Sequence, residues 1–424
     1  MSLRQRLCAF AKAEPHELRP LVWAFLYFFC LLCGYYLLRP VRDEMAIQGG
    51  VEHLPWMMTG TFLTLLAVTP LFGWLAARLA RYVLLITVYL FFSLNLVVFY
   101  ALMASHTAPE WVARVFFVWL SVFNLFVVSV FWSFMADLFT PEQGARLFGV
   151  IAAGGSTGAL VGPLLAGFLP ALIGVPPLML IAGLFLIGCL VCIHRLDRWA
   201  AGRTRQARAS DEAPLGGSIW GGIRLTATSP YLLGICGYLF CLTMSATFLY
   251  MEQVRTVAAV LGEPAARTQL FARIDLAVSL LTLAVQLFGT NRLINRFGLA
   301  VGLLVLPAIS LVGFIGLGAS QALTLIIAFT VARRVGEYAV SKPSREVLFT
   351  VVPREEKYKA KNFIDTAVSR GGDASTGWLV AGVKALGAST AVIASALVPV
   401  MLFWGWLGWW LAREQRSRTV KSEK

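Results

Sequence analysis

Arg333, Arg334 and Glu337 interrupt an otherwise apolar run from Ala322 to Phe349, and Lys342, Pro343, Ser344, Arg345 and Glu346 follow in the same run. Arginine presents a planar fork of donors that matches phosphate or carboxylate, so guanidinium groups in such a place can hold an anion. Arg333 and Glu337 are four apart and share a helix face, where they can pair. Arg334 then lacks a local partner and is the group left for the anion. The competing reading is a salt-bridge network that only locks the structure. Other polar groups recur in the same pattern: Tyr36, Arg39, Arg42 and Asp43 after the first apolar run, Asn124 in the fourth, and Glu252 closing the seventh. Asp365, Arg370 and Asp373 follow the run from Ala322 to Phe349, and Arg370 and Asp373 can pair at i,i+3. Tyr36, Arg39, Arg42, Asn124, Glu252, Arg333, Arg334, Glu337, Lys342 and Arg345 are therefore candidate substrate contacts. Asp43, Glu346, Asp365, Arg370 and Asp373 are candidate gating or coupling groups.

Enzymatic and metal chemistry find little support in the same residues. No phosphate loop or HExxH pattern occurs, and His16, His53, His106 and His194 lie apart. Of seven cysteines, Cys30/Cys33 and Cys189/Cys192 form CxxC pairs, each on one helix, and read as small apolar filler rather than zinc ligands. No catalytic residue, metal or cofactor is expected.

A charged group at membrane depth costs about 2.5–3.5 kcal/mol on insertion scales, so such groups mark pathways, pairs or sites. That the surroundings are a membrane follows from composition. Hydrophobic residues make up 58% of the 424 and charged residues 14%, too little polar side chain to cover a soluble globule. A polytopic membrane protein is the class that fits. About 20 apolar residues cross a bilayer as a helix. Such units recur near Leu21–Leu38, Leu54–Ala77, Tyr82–Met103, Trp111–Met135, Leu147–Leu172, Pro177–His194, Pro230–Met251, Leu270–Thr290, Gly298–Gly318, Ala322–Phe349, Asn362–Gly382 and Thr390–Leu411. The expected fold is all-α, with about 12 spans.

The 36 basic and 22 acidic residues give a net charge of +14, and the basic ones fall mainly in alternate loops and both tails. By the positive-inside rule both termini are cytoplasmic, and the charge needs no nucleic-acid partner. A multi-pass protein of the cytoplasmic (inner) membrane is expected, monomeric and surrounded by lipid. The polar stretch after His194 divides the chain into a basic N-terminal segment (1–20), a six-helix bundle (21–194), a cytoplasmic linker (195–229), a second six-helix bundle (230–411) and a basic tail (412–424). Gly73-Trp-Leu-Ala-Ala-Arg78-Leu-Ala-Arg81, with Asn291-Arg292-Leu-Ile-Asn295-Arg296-Phe-Gly298 at the equivalent place, resembles the loop pattern GxLaDRxGR of major-facilitator transporters. The usual acid is absent in both copies. Gly154, Gly155, Gly158, Gly162-Pro163 and Gly167 resemble the GxxxGP pattern of facilitator antiporters, or serve close helix packing.

Tyr36-Leu-Leu-Arg39-Pro-Val-Arg42-Asp43, Phe131-Trp132-Ser-Phe134 and Tyr338-Ala-Val-Ser-Lys342-Pro343-Ser-Arg345-Glu346 are similar to ILRDTKD, FWGF and KYSLFDPTKE of the ATP/ADP translocase family. Lys357-Tyr-Lys359-Ala-Lys361-Asn-Phe-Ile364-Asp365 and Ser369-Arg370-Gly371 continue the likeness. The resemblance implies a major-facilitator fold and exchange of an anionic, phosphorylated metabolite such as ATP or ADP by alternating access. It places the family's substrate lysines on Arg42 and Arg345, its span-seven glutamate on Glu252, and its span-four glutamate near Leu120, which is apolar. The residues alone also admit a proton-coupled facilitator for a neutral or cationic compound, with Glu252, Glu337 or Asp365 carrying the proton, or a membrane scaffold or sensor.

Overall fold

In the computed structural model, residues 14–201, 226, 228–352, 361 and 363–422 are described. The N-terminal segment through residue 13 with Cys8, the linker at 202–225, and Arg354, Lys357 and Lys359 lie outside the described residues. The described chain is helical and contains no strand. In hydrocarbon every backbone N–H and C=O needs a partner within its own segment, so long apolar runs become helices. These are α1 (Leu18–Gln48), α2 (Leu54–Arg78), α3 (Arg81–Ala104), α4 (Pro109–Leu138), α5 (Pro141–Ile173) and α6 (Leu178–Ala201). Then come α7 (Pro230–Val260), α8 (Pro264–Val285), α9 (Asn291–Ala319), α10 (Leu323–Gly336), α11 (Lys342–Leu348), α12 (Ser369–Ala385) and α13 (Thr390–Ser422). Within α9 the helix kinks at Gly298, whose φ of +79° suits a residue without a Cβ.

Ten of the described helices are long and apolar enough to cross a membrane by length and composition. The runs expected as the tenth and eleventh spans are not among them, because Arg333, Arg334 and Glu337 interrupt the first and Asp365, Arg370 and Asp373 the second; each also contains a π-helical turn, at Glu337–Ser341 and at Ile364–Val368. A third π turn, Gln286–Thr290, ends α8. Pro343 does not break the chain as its type suggests; it enters the first turn of α11 directly after the π turn.

The chain divides into two compact units. One comprises Met1–Gly49, Ala67–Asp211 and Leu261–Leu276; the other comprises Gly50–Leu66, Glu212–Val260 and Ala277–Lys424. The first unit thus takes in α1 and the opening half of α8, the second the opening half of α2 and the rest of α8.

In the first unit α1 runs against the glycine-rich face of α5. A Cβ at Gly158 would stand 2.5 Å from the Phe29 carbonyl oxygen and 2.8 Å from the Cys33 nitrogen, and one at Gly162 2.7 Å from the Cys33 oxygen. The glycine spacing therefore serves backbone-to-backbone packing. The start of α5 is tied to the start of α1 by its cap. Thr140 Oγ1 accepts from the Gln143 N–H, the Gln143 side chain accepts from the Thr140 N–H, and Gln143 Nε2 donates to Glu17 at 2.7 Å. Arg146 adds a charged bond to Glu17 at 3.0 Å.

Burial alone would push Glu17 up, but the Glu14 amide, the Gln143 side chain and the Arg146 guanidinium together hold its carboxyl below its ordinary value of 4.5. A carboxylate held low contributes stability that is complete above its unfolded pKa and is lost as pH falls through the folded one. Melting curves of the purified protein between about pH 6 and about pH 3 should therefore fall more steeply with acid than those of Glu17→Gln. Parallel curves would remove Glu17 from the acid response.

Candidate functional site

The polar residues of the second unit gather on α7, α10, α11 and α12. Arg333 lies in the last turn of α10, with its side chain 7% exposed, and its Nη2 donates to Glu337 Oε2 at 2.9 Å. The i,i+4 spacing predicted this pair. Its Nη1 is buried and has no hydrogen-bond partner among the described residues. Arg334, which the spacing left without a local partner, is half-buried and is not free in the structure. Arg345 Nε is likewise buried without a hydrogen-bond partner among the described residues, so Arg333 and Arg345 each have a donor to offer.

Arg345, on α11, faces Asp365 at 3.4 Å. Its neighbour Glu346 is paired with Lys361. Asp373 accepts from Thr247 at 2.8 Å and meets Arg370 at 3.3 Å, so the predicted i,i+3 pair also carries a bond to α7. Lys342 is exposed. Close by, the Tyr238 hydroxyl donates to the Leu303 carbonyl at 2.8 Å and lies 3.2 Å from Ser341 Oγ, while Thr330 Oγ1 donates to Gln253 at 3.3 Å.

Glu252 stands in a different setting. Its buried carboxylate accepts from Lys384 Nζ at 2.6 Å, Arg255 Nη1 at 2.7 Å and Thr390 Oγ1 at 2.7 Å, joining α7 to α12 and α13. Every oxygen is engaged, which describes a structural junction more closely than an open substrate contact. Glu252→Gln should lower stability by only about 1–2 kcal/mol, because the lost charge leaves two cations that are 22% and 26% exposed and can reach solvent. Thermal melting checks the size of that loss. Thr390→Val should cost less still, since it removes one neutral donor.

The first unit holds the other arginines. Arg39 Nε lies 3.7 Å from Asp275 Oδ2 on α8, and its guanidinium lies 5.8 Å from the Tyr36 ring centre. Arg42 binds Asp43 at 2.7 Å and lies 5.2 Å from the Phe117 ring centre. The next residue, Glu44, is wholly buried and meets Arg267 at 3.5 Å. Asn124 is half-buried on α4, and Leu120 is 1% exposed in the apolar core.

Four of the five interior arginines read as an anion cluster thus carry an acidic partner. The sequence reading missed Asp275, Arg267 and Lys384, although an acid twelve positions into the apolar helix that begins at Pro264 was a visible signal. The six described cysteines are free thiols on α1, α6 and α7, Cys30 and Cys236 half-buried and the other four buried.

A helical chain of repeated apolar spans with charges paired within them is the make-up of a multi-pass membrane protein. The profile of the Major Facilitator Superfamily matches residues 24–267, and the chain belongs to that family. Among characterised relatives it is similar to ADP,ATP carrier protein 1 of Chlamydia trachomatis serovar D, at 22% identity over 92% of this chain and 87% of the carrier. Its fold is similar to that of the POT-family transporter PepTSo, with TM-score 0.62, 15% identity and 96% and 98% of the two chains covered. A bacterial homologue of the iron transporter ferroportin gives TM-score 0.62 at 13% identity, with 95% and 98% covered.

Proposed function

We propose that this facilitator is an antiporter that exchanges an anionic, phosphorylated metabolite such as ATP or ADP by alternating access of two six-helix halves, 21–194 and 230–411. The observation that carries the reading is Arg333, a buried guanidinium held by Glu337 on one nitrogen and offering the buried Nη1 to an acceptor that the described residues do not supply. Arg345, Arg39 and Arg42 supply further positive charge, beside Asp365, Asp275 and Asp43 respectively. The similarity to an ADP,ATP carrier over most of both chains supports a nucleotide as the anion. The distribution of its basic residues supports a cytoplasmic-membrane protein with both termini inside, which we read as acting as a monomer.

Ligand-dependent melting of the purified protein tests the site. A ligand at about 100 times its dissociation constant stabilises by about 2.7 kcal/mol. ADP or ATP should raise the melting temperature, and uncharged adenosine should not. Equal shifts by both, or by neither, would contradict an anion site.

A second reading is a proton-coupled facilitator for a neutral or cationic compound. The pairing of Arg39, Arg42, Arg333 and Arg345 with acids favours it, because such pairs can trade a proton for a partner. Uptake that collapses with an uncoupler and ignores anionic competitors would select that reading.

A further inference from the structure

The π turn at Glu337–Ser341 separates Arg333 from Arg345, and it decides how those two side chains are phased. The two are twelve residues apart, which in an unbroken α-helix would set them about 120° apart around the axis. A π turn takes up one extra residue and turns everything after it back by about 100°, leaving the two about 20° apart. The burial of both side chains, 7% and 13% exposed, agrees with one shared face.

Such a turn leaves carbonyls without their usual donors, and Pro343, which has no N–H, adds to the shortage. Residue 343 would serve the carbonyl of Ala339 in α registration and that of Tyr338 in π registration. Both are capped from the π turn that ends α8. Thr290 Oγ1 donates to the Ala339 oxygen at 2.8 Å, and Gln286 Nε2 donates to the Tyr338 oxygen at 3.2 Å. Ser344 Oγ caps the next carbonyl, that of Val340, at 2.8 Å. Thr290 is itself buried, 6% exposed; its hydroxyl lies 2.8 Å from the Ala339 oxygen and 3.2 Å from the Val285 oxygen of its own helix, and the contact to Ala339 is the shorter.

We propose that Thr290, assisted by Gln286, is a positioning residue of the anion site: by capping the carbonyls that Pro343 cannot serve, it holds the π turn that aligns Arg345 with Arg333. This rests on the anion reading above for its functional consequence, though not for its geometry. Two measurements on the full chain separate the two. In proteoliposomes exchanging labelled ADP, Thr290→Val should raise KM tenfold or more while the maximal rate changes less than threefold. Thr290→Ser, which keeps the hydroxyl, should bring KM back toward the parent value. A KM that does not move in Thr290→Val, or a loss confined to maximal rate, would overturn the assignment.

The second measurement needs no substrate. With the native cysteines replaced by serine, Arg345→Cys should react with a charged methanethiosulfonate at least fivefold more slowly once Thr290→Val is added, because the position turns off the polar face. An unchanged rate would overturn the assignment. A parent protein that exchanges no ADP, combined with the fivefold slowing, would leave the brace standing and count against the anion reading alone.

Discussion

Arg267→Ala is expected to destabilise the protein by about 3 kcal/mol, near the lower end of what removing one partner of a buried ion pair costs. Arg267 is the cation facing Glu44, whose side chain is 0% exposed. Among the described residues neither Glu44 oxygen has a hydrogen-bond partner, so the nearby positive charge is its main compensation. Removing that charge leaves a carboxylate in apolar surroundings or forces it to take up a proton; either way folded stability falls. The pair is one rung of two. Arg39 meets Asp275 and Glu44 meets Arg267, so α1 and α8 run past each other with alternating signs. A double exchange, Glu44→Arg with Arg267→Glu, should recover more than half of the melting temperature lost by Arg267→Ala. Recovery absent in the exchange, with both single variants close to the parent, would show that the rung carries no weight.

Arg333→Lys is expected to lower anion exchange roughly 30- to 150-fold while the protein stays folded. An ammonium at this place can keep the bond to Glu337, but it has no second planar nitrogen where Nη1 now lies. Losing a hydrogen bond to a charged group costs about 2–3 kcal/mol, which gives that factor. Arg333→Ala should cost stability as well, because it strands Glu337, whose side chain is only 23% exposed. Comparing the two variants separates the ligand contact from the structural pair. Full exchange by Arg333→Lys would leave Arg333 with the structural role only.

What the sequence shows plainly is local. Unbroken apolar runs predict helices because nothing else satisfies a backbone in hydrocarbon, and the i,i+4 and i,i+3 spacings of Arg333/Glu337 and Arg370/Asp373 name their own partners. The long-range partners are hidden. Asp275 stands 236 residues from Arg39, and Lys384 stands 132 from Glu252, so an arginine that looks unbalanced along the chain is balanced across it. The π turns are hidden for a different reason. No residue pattern marks the inserted residue, and Pro343 signals only that some carbonyl upstream lacks a donor. Whether the chain breaks or widens there depends on Thr290 and Gln286, which are near it in space and about fifty positions away in sequence.

Counterflow tests the central claim most directly. Proteoliposomes carrying the folded protein are loaded with unlabelled ATP, ADP or phosphate, and labelled ADP is added outside. Exchange predicts uptake that depends on an anion inside, is inhibited by external ATP, and persists with an uncoupler. Uptake equal in loaded and empty vesicles, or none for any anion tried with the protein shown to be folded, would contradict it.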